Sequence, residues 1–343
     1  MKHLLNTLYV STQGAYLNKE GETVNIQVES QVKLRVPIHT LGGIVCFGRV
    51  SCSPPLLGLC AKKGVAVSFL SEHGKFWASV HGPVSGNVLL RRMQYRSADS
   101  PEFSAVFSKN IVAAKMANCR TVLLRAARDT TNQEITQNLR KAASYLAHSC
   151  TRLKKQEALD SVRGIEGDAA RHYFDVFDDM ICAQKENFFF NGRSRRPPLD
   201  NVNALLSFVY TLLTHDMRSA LESVGLDPAV GWLHRDRPGR PGLALDMIEE
   251  LRPVIADRLV LSLINRRQVQ GKGFVQSETG SVIMDDNTRK EVLVAYQKRK
   301  QEEIEHPFIK EKIAVGLIPY VQATLLARML RGDLDQYPPF IWR

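Results

Sequence analysis

The spacing of apolar residues changes once along this chain, and that change constrains the fold more than any other feature. Up to about residue 84 the pattern is short and alternating. Thr23-Val24-Asn25-Ile26-Gln27-Val28 and Val32-Lys33-Leu34-Arg35-Val36 carry apolar side chains at every second position, as half-buried strands do. Asn18-Lys19-Glu20-Gly21-Glu22 makes a hairpin turn between Leu17 and Thr23. Ile44-Val45-Cys46-Phe47 and Val65-Ala66-Val67-Ser68-Phe69-Leu70 read as short apolar strands, and Phe76-Trp77-Ala78-Ser79-Val80 follows the turn Glu72-His73-Gly74-Lys75. One helix interrupts them: Ser53 is an N-cap, Pro54 suits the first helical position, and Gly64 follows the last turn. The Gly- and Pro-punctuated segment from His81 to Asn87 is the boundary, because beyond it the period becomes helical. A chain of 343 residues can bury two cores. The expectation is therefore an α+β protein, with a small mostly-β domain over 1–84 and a larger α-helical domain over 85–343.

Within the second part, Ser100-Pro101-Glu102 opens a long helix with Phe103, Val106, Phe107, Ile111 and Ala114 on one face. A second helix is expected over 132–158, and a third from Asp160 or Ser161. Asp175, Asp178 and Asp179, with Val176, Phe177, Met180 and Ile181 between them, read as an amphipathic helix whose acids face water. The stretch from Phe188 to Pro198 is a loop holding Gly192, two consecutive prolines and an arginine cluster. Asp200 caps a core helix that ends at Gly225, and Asp227-Pro228 starts a single turn. The helix from Leu243 must kink or restart at Pro253. A small hairpin around Thr279-Gly280 and helices over 287–305 and 316–331 complete the chain.

Residues 231–253 hold the chemistry: His234, an Arg-, Pro- and Gly-rich loop, and a helix start with Asp246 and Glu249 one turn apart. Residues three apart share a helix face, so both carboxylates could point at one ion. Hard ions such as Mg²⁺ and Mn²⁺ take oxygen ligands, and Mn²⁺ tolerates an imidazole among them. A third ligand is sought in Glu166, which lies between Gly164 and Gly167. Each glycine costs about 1 kcal/mol of helix propensity relative to Ala, consistent with close backbone approach by a ligand or with tight helix packing. The bland readings are that His234 belongs to a core beside Trp232 and Leu233, and that Asp246 and Glu249 are ordinary first-turn acids. Arg235, Arg237 and Arg240 flank these residues as phosphate binding requires.

Charge points the same way. Forty-six Lys and Arg against 35 Asp and Glu leave +11, which favours polyanionic partners, nucleic acid before a membrane surface. The six cysteines form no C-x-x-C pair, arguing against structural zinc. No apolar run approaches membrane-spanning length and no signal-peptide core forms at the N-terminus, so a reduced, cytoplasmic location is expected. No G-x-S-x-G elbow occurs, which disfavours a serine hydrolase.

Taken together, Arg163-Gly164-Ile165-Glu166-Gly167, Asn203-Ala204-Leu205-Leu206, Gly231-Trp232-Leu233-His234, the run from Leu243 to Pro253, and Tyr337-Pro338-Pro339-Phe340 resemble the CRISPR-associated integrase and endonuclease family, most closely its subtype I-C members. The resemblance implies a homodimer joined through the N-terminal β domain, a small ferredoxin-like CRISPR-associated partner, and double-stranded DNA substrates, namely the protospacer and the CRISPR repeat and leader. It implies metal ligands at Glu166, His234 and Glu249, with Asp246 as a supporting acid in the same catalytic pocket, and Mg²⁺ or Mn²⁺ as the ion. The expected reaction is attack of a 3′-hydroxyl on a phosphodiester, with Arg235, Arg237, Arg240, Arg195 and Arg196 on the DNA backbone. Two rivals stand beside it: hydrolysis of branched or single-stranded DNA at the same ligands, and a non-catalytic DNA-binding scaffold.

Overall fold

The computed structural model describes residues 5–72, 76–80, 82, 88–278 and 280–342. The expected turn at 73–75, most of the boundary at 81–87, and Thr279 in the small hairpin lie outside them. The N-terminal part forms two four-stranded sheets. In the first, β2 (Tyr16–Glu20), β3 (Thr23–Val28) and β4 (Gln31–Pro37) run antiparallel, and the short β6 (Ser51–Cys52) lies parallel to β2. In the second, β1 (Asn6–Val10), β5 (Leu41–Phe47) and β7 (Ala66–Leu70) are parallel, and β8 (Phe76–Val80) runs antiparallel to β7. Parallel neighbours need a crossover, and α1 (Pro54–Lys63) supplies the one between β5 and β7. Its ends are the expected ones: Ser53 Oγ accepts from the Leu56 N–H at 3.3 Å, and Gly64 closes the helix at φ 71°. The β2–β3 turn is two residues, Gly21 and Glu22, with Gly21 at φ 60° where a side chain would be strained.

One core lies between the two sheets and α1, joining Leu17, Val24 and Ile26 to Ile44, Cys46, Val67, Leu56 and Cys60. Val45, Phe47 and Leu70 leave the other face of the second sheet and enter the helical core, where the Phe47 and Phe208 rings are 6.0 Å apart. Burial on both faces explains why β5 reads as a continuous apolar run rather than an alternating one. Strand β4 departs from expectation, since Val32 and Leu34 are 42% and 49% exposed on an edge strand.

The helical part comprises α2 (Val88–Ala98), α3 (Pro101–Asp129), α4 (Gln133–Lys154), α5 (Leu159–Asp175) and α6 (Asn201–Ser223). It continues with α7 (Gly242–Glu249), α8 (Arg258–Asn265), α9 (Asp286–Gln301) and α10 (Ile318–Leu330), plus a β9–β10 ribbon (Phe274–Gln276, Val282–Met284) where the small hairpin is expected. Ser100 and Asp200 cap α3 and α6 through their side chains. Pro253 prevents α7 from continuing: Arg252–Asp257 winds as a π-helix before α8. No described helix is long and apolar enough to cross a membrane.

Three local expectations are corrected. Residues 175–181 are not one amphipathic helix. Helix α5 ends at Asp175, and the Asp178 carboxylate accepts from the Phe190 N–H at 2.8 Å and pairs with Lys185 at 2.6 Å, so it holds a loop instead of facing solvent from a helix. Helix α9 stops at Gln301, where Glu302 turns extended and the next three residues pair instead in a ribbon of β11 (Glu303–Glu305) and β12 (Lys312–Ala314). Asp227-Pro228 starts no helical turn, because the buried Gln94 amide donates to the carbonyls of Asp227 at 2.7 Å and Val230 at 2.8 Å.

Candidate metal centre

The site is built on α7 and on the loop that lies across its first turn. Asp246 has 0% exposure, and all of its acceptor capacity is used. Oδ2 accepts from the N–H groups of Trp232 at 2.7 Å and Leu233 at 2.9 Å, while Oδ1 accepts from His234 N at 2.9 Å and His234 Nδ1 at 2.6 Å. A carboxylate can only accept, so Nδ1 carries a proton, and in the neutral imidazole Nε2 then keeps its lone pair. Gly231 is required for this clasp: a Cβ there would lie 2.4 Å from Asp246 Oδ2 and 2.8 Å from the Leu243 nitrogen. The Trp232 ring anchors the loop from below, 4.5 Å from Phe107 and 5.5 Å from Phe103.

His234 Nε2 faces Glu249 Oε1 at 4.0 Å. Glu249 is 4% exposed at the end of α7, and Glu166 reaches the same place from α5. Asp246 and Glu249 therefore share a helix face yet do different things, one holding the loop and one facing His234 Nε2 and the charges of other segments. Between Glu166 and Glu249 lies the ammonium of Lys115 from α3, paired with Glu166 and 2.6 Å from Glu249 Oε2. That Oε2 is buried, with the ammonium as its partner. Arg252 pairs with Glu249 Oε1 from the other side and lies 4.8 Å over the Tyr210 ring, whose hydroxyl donates to Asp257 at 2.6 Å. Burial works to raise the Glu249 carboxyl, but Arg252, Lys115 and His234 hold it well below the usual range, at about 2. Burial works against the Lys115 ammonium, but Glu249 and then Glu166 hold it above the ordinary lysine value.

Among the described residues no three acids, histidines or cysteines converge closely enough to hold an ion as they stand. The donor set nevertheless fits one. Two carboxylates and an imidazole nitrogen suit Mg²⁺ or Mn²⁺, and a cationic group, the Lys115 ammonium, already lies between the carboxylates. The glycines beside Glu166 are not there for helix packing, since a Cβ at Gly164 or Gly167 would meet nothing within 4 Å. That face of α5 is open.

Arg240 lies within electrostatic reach of Arg237, Arg196 and Arg195, which together with burial hold its guanidinium below its usual value. Two loops distant in sequence thus lie within electrostatic reach of one another. Arg235 is mostly exposed and pairs with Asp160 at 3.3 Å. Sequence reasoning missed Lys115, Arg252, Arg163 and Arg193. Arg163 Nε donates to the Leu233 carbonyl at 2.7 Å, tying α5 to the His234 loop, and Arg193 lies 5.3 Å over Tyr210. Lys115 did leave a signal, as the one charge in the row Phe107, Ile111, Lys115, Cys119, spaced four apart on an otherwise apolar helix edge.

The family model described as "CRISPR associated protein Cas1" matches residues 8–298. The CRISPR-associated endonuclease Cas1 1 of Chlorobaculum tepidum is 59% identical over 343 residues, covering all of both chains. Among solved structures, a casposase bound to its integration product superimposes with a TM-score of 0.82 at 21% identity, over 97% of this chain and 92% of that one. A Cas6-RT-Cas1–Cas2 complex gives 0.83 at 20% identity, over 100% of this chain and 36% of that one.

Proposed function

The chain belongs to the CRISPR-associated Cas1 endonuclease family, and from that premise we propose that it is a divalent-metal-dependent DNA integrase that joins short protospacer DNA to the CRISPR array. The observation that carries the reading is the meeting of Glu166, Glu249 and His234 Nε2, where a cation is held between the two carboxylates. In this reading Glu166, His234 and Glu249 are the metal ligands, and Asp246 keeps the imidazole in the tautomer that leaves Nε2 free. Mg²⁺ or Mn²⁺ bound there supplies charge stabilisation at the phosphoryl oxygens and makes a hydroxyl a better nucleophile. The nucleophile is the DNA 3′-hydroxyl, so the chain need offer none of its own. Arg252, braced on Tyr210, fixes Glu249, and the cluster of Arg195, Arg196, Arg237 and Arg240, with Arg235 at its edge, holds the DNA backbone. Phosphate contacts position DNA without reading its sequence, so repeat and leader recognition rests on DNA shape and on partners.

The assembly in this reading is a homodimer joined through the N-terminal β domain, with a small ferredoxin-like partner, acting in the cytoplasm. The exposed edge strand β4, with Val32 and Leu34 turned outward, supports a pairing surface there. A second reading is favoured by the word endonuclease in the relative's name: water in place of the 3′-hydroxyl, cutting branched or single-stranded DNA. A gel assay with a labelled duplex, a repeat-bearing plasmid and Mn²⁺ separates joined from cleaved products. Joined product is expected, lost in EDTA, restored by Mn²⁺, and abolished by His234→Ala while DNA binding persists. Cleavage without joining supports the hydrolytic reading; activity unaffected by EDTA refutes the metal; and joining at wild-type rates by His234→Ala removes that residue from the mechanism.

A further inference from the structure

Lys115 is an unusual group to find at this position. It projects from an apolar row of α3, its side chain is only 12% exposed, and its ammonium spans two carboxylates from two other helices. Burying an ammonium is costly unless it is paired, and here the pairing is made with the two acids proposed as metal ligands. We propose that Lys115 is a tethered occupant of the cation seat: it keeps Glu166 and Glu249 paired while no metal is bound, and it must leave before a divalent ion can enter. The proposal rests on the metal reading above and adds to it a competition between one side chain and the ion.

Geometry puts the ammonium where an ion shared by the two carboxylates would have to sit. With the ammonium in place, Glu249 Oε2 is 2.6 Å from Nζ and unavailable to anything else, and no three potential ligands among the described residues converge on a point. Two carboxylates sharing an apolar site repel unless a cation lies between them, so removing the lysine without replacing it is unfavourable. Removing it in exchange for Mn²⁺ restores the balance. The other cation at the site cannot play this part: Arg252 approaches Glu249 Oε1 from the opposite side and is held over Tyr210. A lysine is a point charge on a flexible stem, able to retract in a way a planar, stacked guanidinium is not. The way out lies on the Glu166 side, the more exposed of its two partners at 25%.

The test is Mn²⁺ binding to the full chain without DNA, monitored through the decrease of the free-ion electron paramagnetic resonance signal. Lys115→Met, close in size and uncharged, is expected to bind Mn²⁺ at least tenfold more tightly than wild type, and Lys115→Arg no more tightly than wild type. Equal affinity in wild type and Lys115→Met, with binding still abolished by Glu166→Gln, overturns the competition and leaves the metal reading standing. If neither protein binds Mn²⁺ in a manner dependent on Glu166 and His234, the metal reading itself fails and the competition with it. Should Lys115→Met not fold, the wild type decides: reductive methylation read by mass spectrometry is expected to spare Lys115 in metal-free protein and to modify it at saturating Mn²⁺. Protection that persists at saturation overturns the proposal.

Discussion

Asp246→Asn preserves side-chain size and removes one acceptor from a carboxylate that accepts from three backbone N–H groups and one imidazole at 2.6–2.9 Å. The amide has a single oxygen, so its NH₂ must face two donors whichever way it is turned. Two charge-assisted hydrogen bonds of ~1.5–3 kcal/mol each disappear, and the loop recovers part of that by relaxing toward solvent, for a net destabilisation of about 3 kcal/mol. An unfolding entropy of about 2.1 cal/mol/K per residue over 343 residues turns this into a Tm about 4 °C lower. The effect on metal should be larger than the effect on folding. Without its Nδ1 acceptor the imidazole is free to rotate, and removing such a partner typically weakens metal affinity about 10- to 100-fold. Thermal unfolding and Mn²⁺ titration of the same two proteins measure both quantities. A Tm and a Mn²⁺ affinity both equal to wild type refute the clasp; a lowered Tm with unchanged affinity refutes its role in orienting His234.

Three further outcomes are expected. Replacing Arg235, Arg237 and Arg240 by Ala should weaken DNA binding at all sequences and flatten the slope of log affinity against log salt by roughly 0.9 for each phosphate no longer neutralised; an unchanged slope would show that this loop touches no phosphate. Tyr337→Phe removes a hydroxyl that donates to buried Glu250 and accepts from Gln322, both at 2.6 Å, and should cost about 1–3 kcal/mol in urea unfolding, with stability equal to wild type counting against the interaction. Burial pushes the Asp257 carboxyl up to about 6, against which the Tyr210 and Tyr173 hydroxyls work. A raised acid binds its proton more tightly folded than unfolded, so its contribution is full below the unfolded value near 4 and is lost as pH climbs through 6, amounting to ~3 kcal/mol in all. Wild-type stability relative to Asp257→Asn should therefore fall between pH 4 and 6; a difference that stays flat across that window sinks the assignment.

Much of the fold was legible because it rests on local rules. The capping residues Ser53, Ser100 and Asp200 and the break at Pro253 each act within a few residues, and each is where expected. Expectations failed where a distant partner outweighed local preference. Gln94 holds Asp227 and Val230 out of a helical turn, and Asp178 captures the Phe190 N–H across a loop. Strand β4 kept its alternation in sequence but, at a sheet edge, found nothing to bury Val32 and Leu34.

The sequence by itself determined which residue types the site can draw on: Glu166, His234, Asp246 and Glu249, with arginines nearby in the chain, are a matter of spacing and of recognisable motifs. Their division of labour was decided only by the tertiary structure. One helical turn separates Asp246 from Glu249, and periodicity treats them alike; the loop folded over the first turn of α7 satisfies one and leaves the other to the cations Lys115 and Arg252. Lys115 lies 51 residues from Glu166, its ion-pair partner, and Arg195 and Arg196 come within electrostatic reach of Arg240 although some forty residues of chain separate them. Charge pairing across helices depends on where three separate segments pack together, which no window of sequence contains.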